Sequence, residues 1–200
     1  MIIAVTNRKI CKGGFLERIA EIAKARPSGI ILREKDLEPE SYEELAVMCK
    51  QICARHNVPL IIHTHIGVAK NMGIECLHFP MYAYSKHHKA AFKHVGVSVH
   101  SEEEGKLAES MGASYLIAGH IFPTDCKKSM PHRGSDFLKR LCSHAAVPVF
   151  AIGGITKDNL SEIRGCGAAG ICIMSEFMMC KDPFESVSHY HRLMKQFCQS

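Results

Sequence analysis

Short apolar runs recur along the chain at a regular interval, with amphipathic segments between them. The runs are IIAVT (2–6), GIILR (29–33), VPLIIH (58–63), ECLHF (75–79), VGVSV (95–99), SYLIAG (114–119), VPVFAIG (147–153) and GICIMS (170–175). Each is short and rich in valine and isoleucine, which predicts a strand. They show little polar alternation, as strands buried on both faces of a parallel sheet do. The segments between them carry helix-start chemistry. SYEE (41–44) and SEEE (101–104) read as capping boxes, and DPFE (182–185) places Asp182 at an N-cap with Pro183 at the first helical position. Gly112 and Gly167 fall where a helix should stop.

Eight strand–helix units in 200 residues give a period of roughly 25 residues, near the lower size limit of an eight-fold barrel. The expected fold is α/β, an eight-stranded parallel (β/α)8 TIM barrel forming one domain over residues 1–200. An open doubly wound sheet is the alternative; eight units without a long insertion favour closure.

Hydrophobic residues make up 46% of the chain, enough for a sizeable core, and the formal net charge is +5. That charge suits an anionic small ligand and is far from a nucleic-acid-binding composition. The 10 cysteines include no CxxC pair, which removes the zinc-ribbon reading and points to free, mostly buried thiols in a reducing cytoplasm. The opening MIIAVTNRK is too short an apolar run for a signal peptide, and no run is long enough to span a membrane. The expectation is a cytoplasmic protein without nucleic-acid or membrane partners, with a homo-oligomer left open.

In such a barrel the chemistry sits at the carboxyl ends of the strands. The residues there are Arg33-Glu34-Lys35, His63-Thr64-His65, His78, Ser98 and His100, Gly119-His120, Gly153-Gly154 and Ser175. Gly153 and Gly154 after strand seven, with Ser175 after strand eight, are the expected phosphate site. Arg33 and Lys35, two apart, share a side and suit an anion, with Glu34 pointing the other way. Lys127, Lys128 and Arg133 lie in a long loop, from about Gly119 to Gly134, of the kind that serves as a lid. His63, His65 and His78 could bind a transition metal, yet no further ligand falls in a recognised pattern. Polar lining of the mouth is the preferred reading, with no metal and no cofactor.

The segments ILREKD, GVSVHS, GHIFPTDCKK…RG, VPVFAIGGIT and GAAGICIMS together resemble the thiamine phosphate synthase/TenI superfamily, in order and over essentially the whole chain. The resemblance implies the same barrel and a thiazole phosphate ligand. In the synthase branch it implies Mg²⁺ and two aspartates, where this chain has His63-Thr64 and Ala83. A usual glutamine is Ile31. Gly119-His120, Thr124-Asp125-Cys126-Lys127-Lys128 and Arg133-Gly134 instead resemble the TenI-type thiazole tautomerase. On that resemblance the expected activity is isomerisation of a carboxylated dihydrothiazole phosphate. His120 would move the proton, since histidine holds either protonation state near neutral pH. Arg33, Lys35, Ser98, Thr124 and Lys127 would bind the substrate. The synthase, or a non-catalytic thiazole or thiamine phosphate sensor, is the alternative.

Overall fold

The structure is a computed structural model that describes residues 1–85, 92–124 and 131–196. Eight parallel strands in chain order form a closed barrel. They are β1 (Ile2–Val5), β2 (Gly29–Leu32), β3 (Leu60–His63), β4 (Cys76–Pro80), β5 (His94–Val99), β6 (Tyr115–Gly119), β7 (Val149–Ile152) and β8 (Gly170–Ile173). Every apolar run singled out in the sequence coincides with one strand to within a residue or two at its ends. The helices are α1 (Phe15–Lys24), α2 (Pro39–Ala54), α3 (Ile66–Asn71), α4 (Met81–Tyr84), α5 (Glu102–Ser110), α6 (Gly134–His144), α7 (Leu160–Arg164), α8 (Ser175–Met179) and α9 (Pro183–Gln196).

The residues fall into two compact units, one of Met1–Leu77 with the segment from Ile173 onward, the other of His78–Cys172. In the first, β1 pairs with β2 and β2 with β3, in a register that sets Ile31 between Val5 and Ile61. All four residues of β1, β2 and β3 are buried, as strands covered on both faces must be. In the second, β5, β6, β7 and β8 pair in sequence.

Ser101 caps α5, its hydroxyl accepting from the Glu104 amide at 3.2 Å. Glu104 in turn reaches the His100 amide at 2.6 Å, one residue further back than a capping box reaches. The Asp182 carboxylate accepts from the Glu185 amide at 2.9 Å and opens α9 as expected. Gly112 and Gly167 both carry positive φ where α5 and α7 end. The SYEE segment does not open a helix. α2 begins at Pro39 with Glu38 in the extended N-cap position, because proline's fixed φ suits the first helical residue. Ser41 therefore lies inside the first turn.

In the first unit one buried cation ties loops together. Arg18 of α1, 8% exposed, donates from Nε and Nη2 to the Lys12 carbonyl at 3.1 and 2.6 Å. Its Nη1 donates to the carbonyls of Phe177 and Cys180 at 2.9 and 3.0 Å. One guanidinium thus joins the loop after β1 to the end of α8.

Cys11, Cys49, Cys53, Cys76, Cys142, Cys166, Cys172 and Cys180 are free, four of them buried and four partly so. Burial pushes the thiols of Cys49 and Cys53 up to about 12, far from reactivity at neutral pH. Among the described residues no helix is long and apolar enough to cross a membrane.

Candidate active site

At the ends of β1 and β2 the central residue is one the sequence assigned only a direction. Glu34 is 2% exposed. Its Oε1 accepts from the Thr6 hydroxyl at 2.6 Å, and both carboxylate oxygens accept from the Arg8 amide, at 3.1 and 2.9 Å. The Thr6 hydroxyl also accepts the Arg33 amide at 2.9 Å. Burial pushes the Glu34 carboxyl above its ordinary range, against the lowering pull of the Thr6 hydroxyl and the Arg8 amide. Asp36 pairs with the guanidinium of Arg8 and lies 3.3 Å from the Lys9 ammonium. Of the two expected anion ligands on this loop, Arg33 is half-buried and Lys35 exposed.

The end of β3 is held from α2. The Tyr42 hydroxyl donates to the Leu32 carbonyl at 2.5 Å and accepts from the His63 amide at 3.1 Å, fully buried. Its ring stacks on His65 with centroids 4.0 Å apart. Thr64 takes a left-handed φ of 64°, and its hydroxyl folds back on the His63 carbonyl at 2.7 Å. The histidines of this strand end are therefore fixed by packing and backbone bonds. Removing the bridging hydroxyl by Tyr42→Phe should cost about 1–3 kcal/mol, because the Leu32 carbonyl and the His63 amide lose a buried partner. Urea melts of the two proteins measure it.

In the second unit, buried His78 on β4 lies with Nε2 2.7 Å from the Ser98 hydroxyl on β5. The His78 ring stacks on Tyr115 at 5.8 Å, and Tyr115 meets Phe150 edge-on at 5.8 Å. Ser98, an expected substrate ligand, thus has its hydroxyl set by a histidine one strand over. His100 turns to Glu104 instead, Nδ1 to Oε2 at 3.3 Å.

His120 follows β6 across a cis peptide bond from Gly119 and is 4% exposed. The loop it opens is pinned at its base. The Arg133 amide donates to the His120 carbonyl at 2.9 Å, and the Gly134 amide to the Ile121 carbonyl at 3.0 Å. Thr124 lies on the outgoing arm; Asp125, Cys126, Lys127 and Lys128, among them the expected ligand Lys127, fall outside the described residues. Against this loop lies the glycine pair after β7. Gly153 and Gly154 have φ of 95° and 65°. A Cβ on Gly153 would stand 2.2 Å from the His120 Cβ, and one on Gly154 would stand 2.4 Å from the Pro123 carbonyl oxygen. The Gly153 carbonyl accepts from the Phe122 amide at 3.0 Å, and the Gly154 carbonyl from the Asn159 side chain at 2.8 Å. The pair is glycine because two loop segments cross there, a reason for the motif that the sequence did not disclose. Ser175, in the first unit, is the first residue of α8 and is partly buried.

The described residues do not fit a protein-held Mg²⁺. The two places where the synthase resemblance implies carboxylates hold His63-Thr64 and Ala83, and Mg²⁺ takes hard oxygen ligands. Among the described residues no group of three or more His, Cys, Asp or Glu side chains is placed to hold a metal ion.

Comparison with known proteins places this geometry in a lineage. The family model described as thiamine monophosphate synthase matches residues 2–177. A protein of Coprothermobacter proteolyticus named thiamine-phosphate synthase is 32% identical over 187 residues, covering 90% of this chain and 88% of its own. One of Streptococcus pneumoniae named thiamine-phosphate synthase 2 is 32% identical over 184 residues, covering 89% and 87%. Among solved structures, thiamine phosphate pyrophosphorylase from Pyrococcus furiosus superposes with a TM-score of 0.85 at 25% identity, covering 98% of this chain and 96% of that one. These matches overturn the thiazole tautomerase expected from the Gly119-His120 step. Similarity over nine-tenths of the chain runs to proteins named synthases, and the isomerase reading falls with it. The physical reason is that a strand-end histidine is not diagnostic: His120 is a buried packing partner of Gly153, a role open to either chemistry. With the family model matched over residues 2–177 and relatives 32% identical over about nine-tenths of its length, the chain belongs to the thiamine monophosphate synthase family.

Proposed function

We propose that the protein is a transferase that joins a pyrimidine pyrophosphate to a thiazole phosphate to give thiamine phosphate. The observation that carries this reading is the 32% identity, over about nine-tenths of both chains, to relatives named thiamine-phosphate synthase. In the reaction the thiazole nitrogen forms a C–N bond to the methylene carbon of the pyrimidine. The C–O bond to pyrophosphate breaks, and its electron pair leaves with the pyrophosphate oxygen. No proton has to be moved, so the shuttle role of His120 is withdrawn.

What the residues must do is bind two anions and stabilise the negative charge that grows on the leaving group. Arg33 and Lys35, with Ser98, Thr124 and Lys127, are the proposed substrate ligands. Gly153 and Gly154 are proposed to offer backbone amides to a phosphate, glycine permitting close approach, and Ser175 to offer its hydroxyl to one. His120 is proposed as a hydrogen-bond donor to the leaving pyrophosphate. No step is assigned to a protein-held metal.

The test is direct. Purified protein is incubated with pyrimidine pyrophosphate, thiazole phosphate and Mg²⁺, and thiamine phosphate is followed by its oxidation to a fluorescent product. Turnover within the ordinary enzyme range, about 1–10³ per second, is expected. Absence of product at high protein concentration overturns the reading.

A further inference from the structure

We propose that Glu34 is a positioning residue that locks the end of β1 to the end of β2, so that Arg33 and Arg8 are held in place for a substrate anion. The inference rests on the reading of Arg33 as an anion ligand in the transferase. It begins from a cost. A carboxylate buried away from water is expensive unless it is fully hydrogen-bonded, and an apolar residue would join two strands without that cost. What Glu34 does that an apolar residue cannot is accept from one hydroxyl and one amide, both in the segment that follows β1.

The bonds have a fixed direction. The Thr6 hydroxyl accepts the Arg33 amide and has one proton left, which it gives to Glu34. The Arg8 amide is shared by both carboxylate oxygens. Two donors, through three contacts, therefore converge on the carboxylate: the Thr6 hydroxyl, which also holds the Arg33 amide, and the Arg8 amide. One arm ends at the backbone of Arg33, the other at the backbone of Arg8. The Arg8 side chain is then held from outside by Asp36, and its Nε lies 3.9 Å from Glu34 Oε2. This places Arg8 in the same tethered group as Arg33, at strand ends where this fold does its chemistry. Nothing in the sequence motif marked Thr6 or Arg8; only their bonds to Glu34 do.

The experiment separates positioning from mere stability. Inorganic pyrophosphate is titrated into the full chain by calorimetry, and KM and kcat are measured for the coupling reaction. In Glu34→Gln one acceptor oxygen becomes an amide donor facing the Arg8 N–H. Loss of a charge-assisted bond predicts about tenfold weaker pyrophosphate binding, with KM for the pyrimidine pyrophosphate raised by a similar factor and kcat changed far less. Thr6→Val, which cuts the relay to Arg33, should weaken binding in the same sense, and Thr6→Ser, which keeps the hydroxyl, should restore it. That pair carries the test if Glu34→Gln does not fold. Unchanged pyrophosphate affinity in folded Glu34→Gln or in Thr6→Val overturns the inference, as does a wild-type protein that binds no pyrophosphate. Weakened pyrophosphate binding in the variants beside a wild type that forms no thiamine phosphate supports the inference while the transferase reading fails.

Discussion

Gly154→Ala is expected to lower stability by about 3 kcal/mol and to remove most of the activity. Two costs add at this position. Its φ of 65° lies in the left-handed region, where an L side chain costs about 1–2 kcal/mol. The new Cβ would also stand 2.4 Å from the Pro123 carbonyl oxygen and 2.7 Å from that of Phe122. Both obstacles are backbone, so relief requires the loop after β6 to move away. That loop starts at His120 and is pinned at its base by the Arg133 and Gly134 amides, which leaves it little slack. For a chain of this size the loss corresponds to a fall in Tm of roughly 6–12 °C. Calorimetric melts and the coupling assay on the same preparation measure both effects. A Tm within about 2 °C of wild type would show that the loop yields freely and that the close crossing does not constrain the site.

Arg18→Met should destabilise the fold by about 2–4 kcal/mol, with a shift in the urea midpoint as the readout. Methionine fills much of the same volume, so the loss isolates the hydrogen bonds. Four of them end on the carbonyls of Lys12, Phe177 and Cys180. Those carbonyls lose a charged donor that no apolar side chain replaces. Arg18→Lys should recover only part of the loss, because an ammonium cannot span carbonyls at both ends of the arginine fork. If methionine left the midpoint unchanged, water would be satisfying these carbonyls already, and the tie between the β1 loop and α8 would carry no weight.

The glycine pair shows how a motif can be read correctly in place and incompletely in cause. Its position after β7 predicted an anion site, and that assignment stands as a proposal. The structure adds that Gly153 and Gly154 are glycine for a second reason, the crossing of the β6 loop. The Gly119-His120 step shows the opposite failure. A local resemblance outweighed similarity spread over the whole chain, and spread similarity is what tracks descent in a fold that hosts many chemistries. The SYEE box failed because Pro39 two residues earlier is a stronger start signal than a serine.

The strand order and the closed barrel were legible in the chain alone, as was the place of Arg33, His120 and Gly153 just after their strands. Eight β-branched runs buried on both faces leave a parallel sheet wrapped by helices as the way to cover them, and the residue after each run must then lie at a strand end. Local signals settled the helix boundaries where a cap bonds within its own turn, as at Ser101 and Asp182. What required the tertiary structure were bonds between residues far apart in sequence. Glu34 meets Thr6 across 28 positions, Tyr42 meets His63 across 21, and Arg18 meets Phe177 across 159. No periodicity or spacing encodes such pairs. They depend on which strand ends the closed sheet brings side by side, and a buried polar group takes whichever partner that packing supplies.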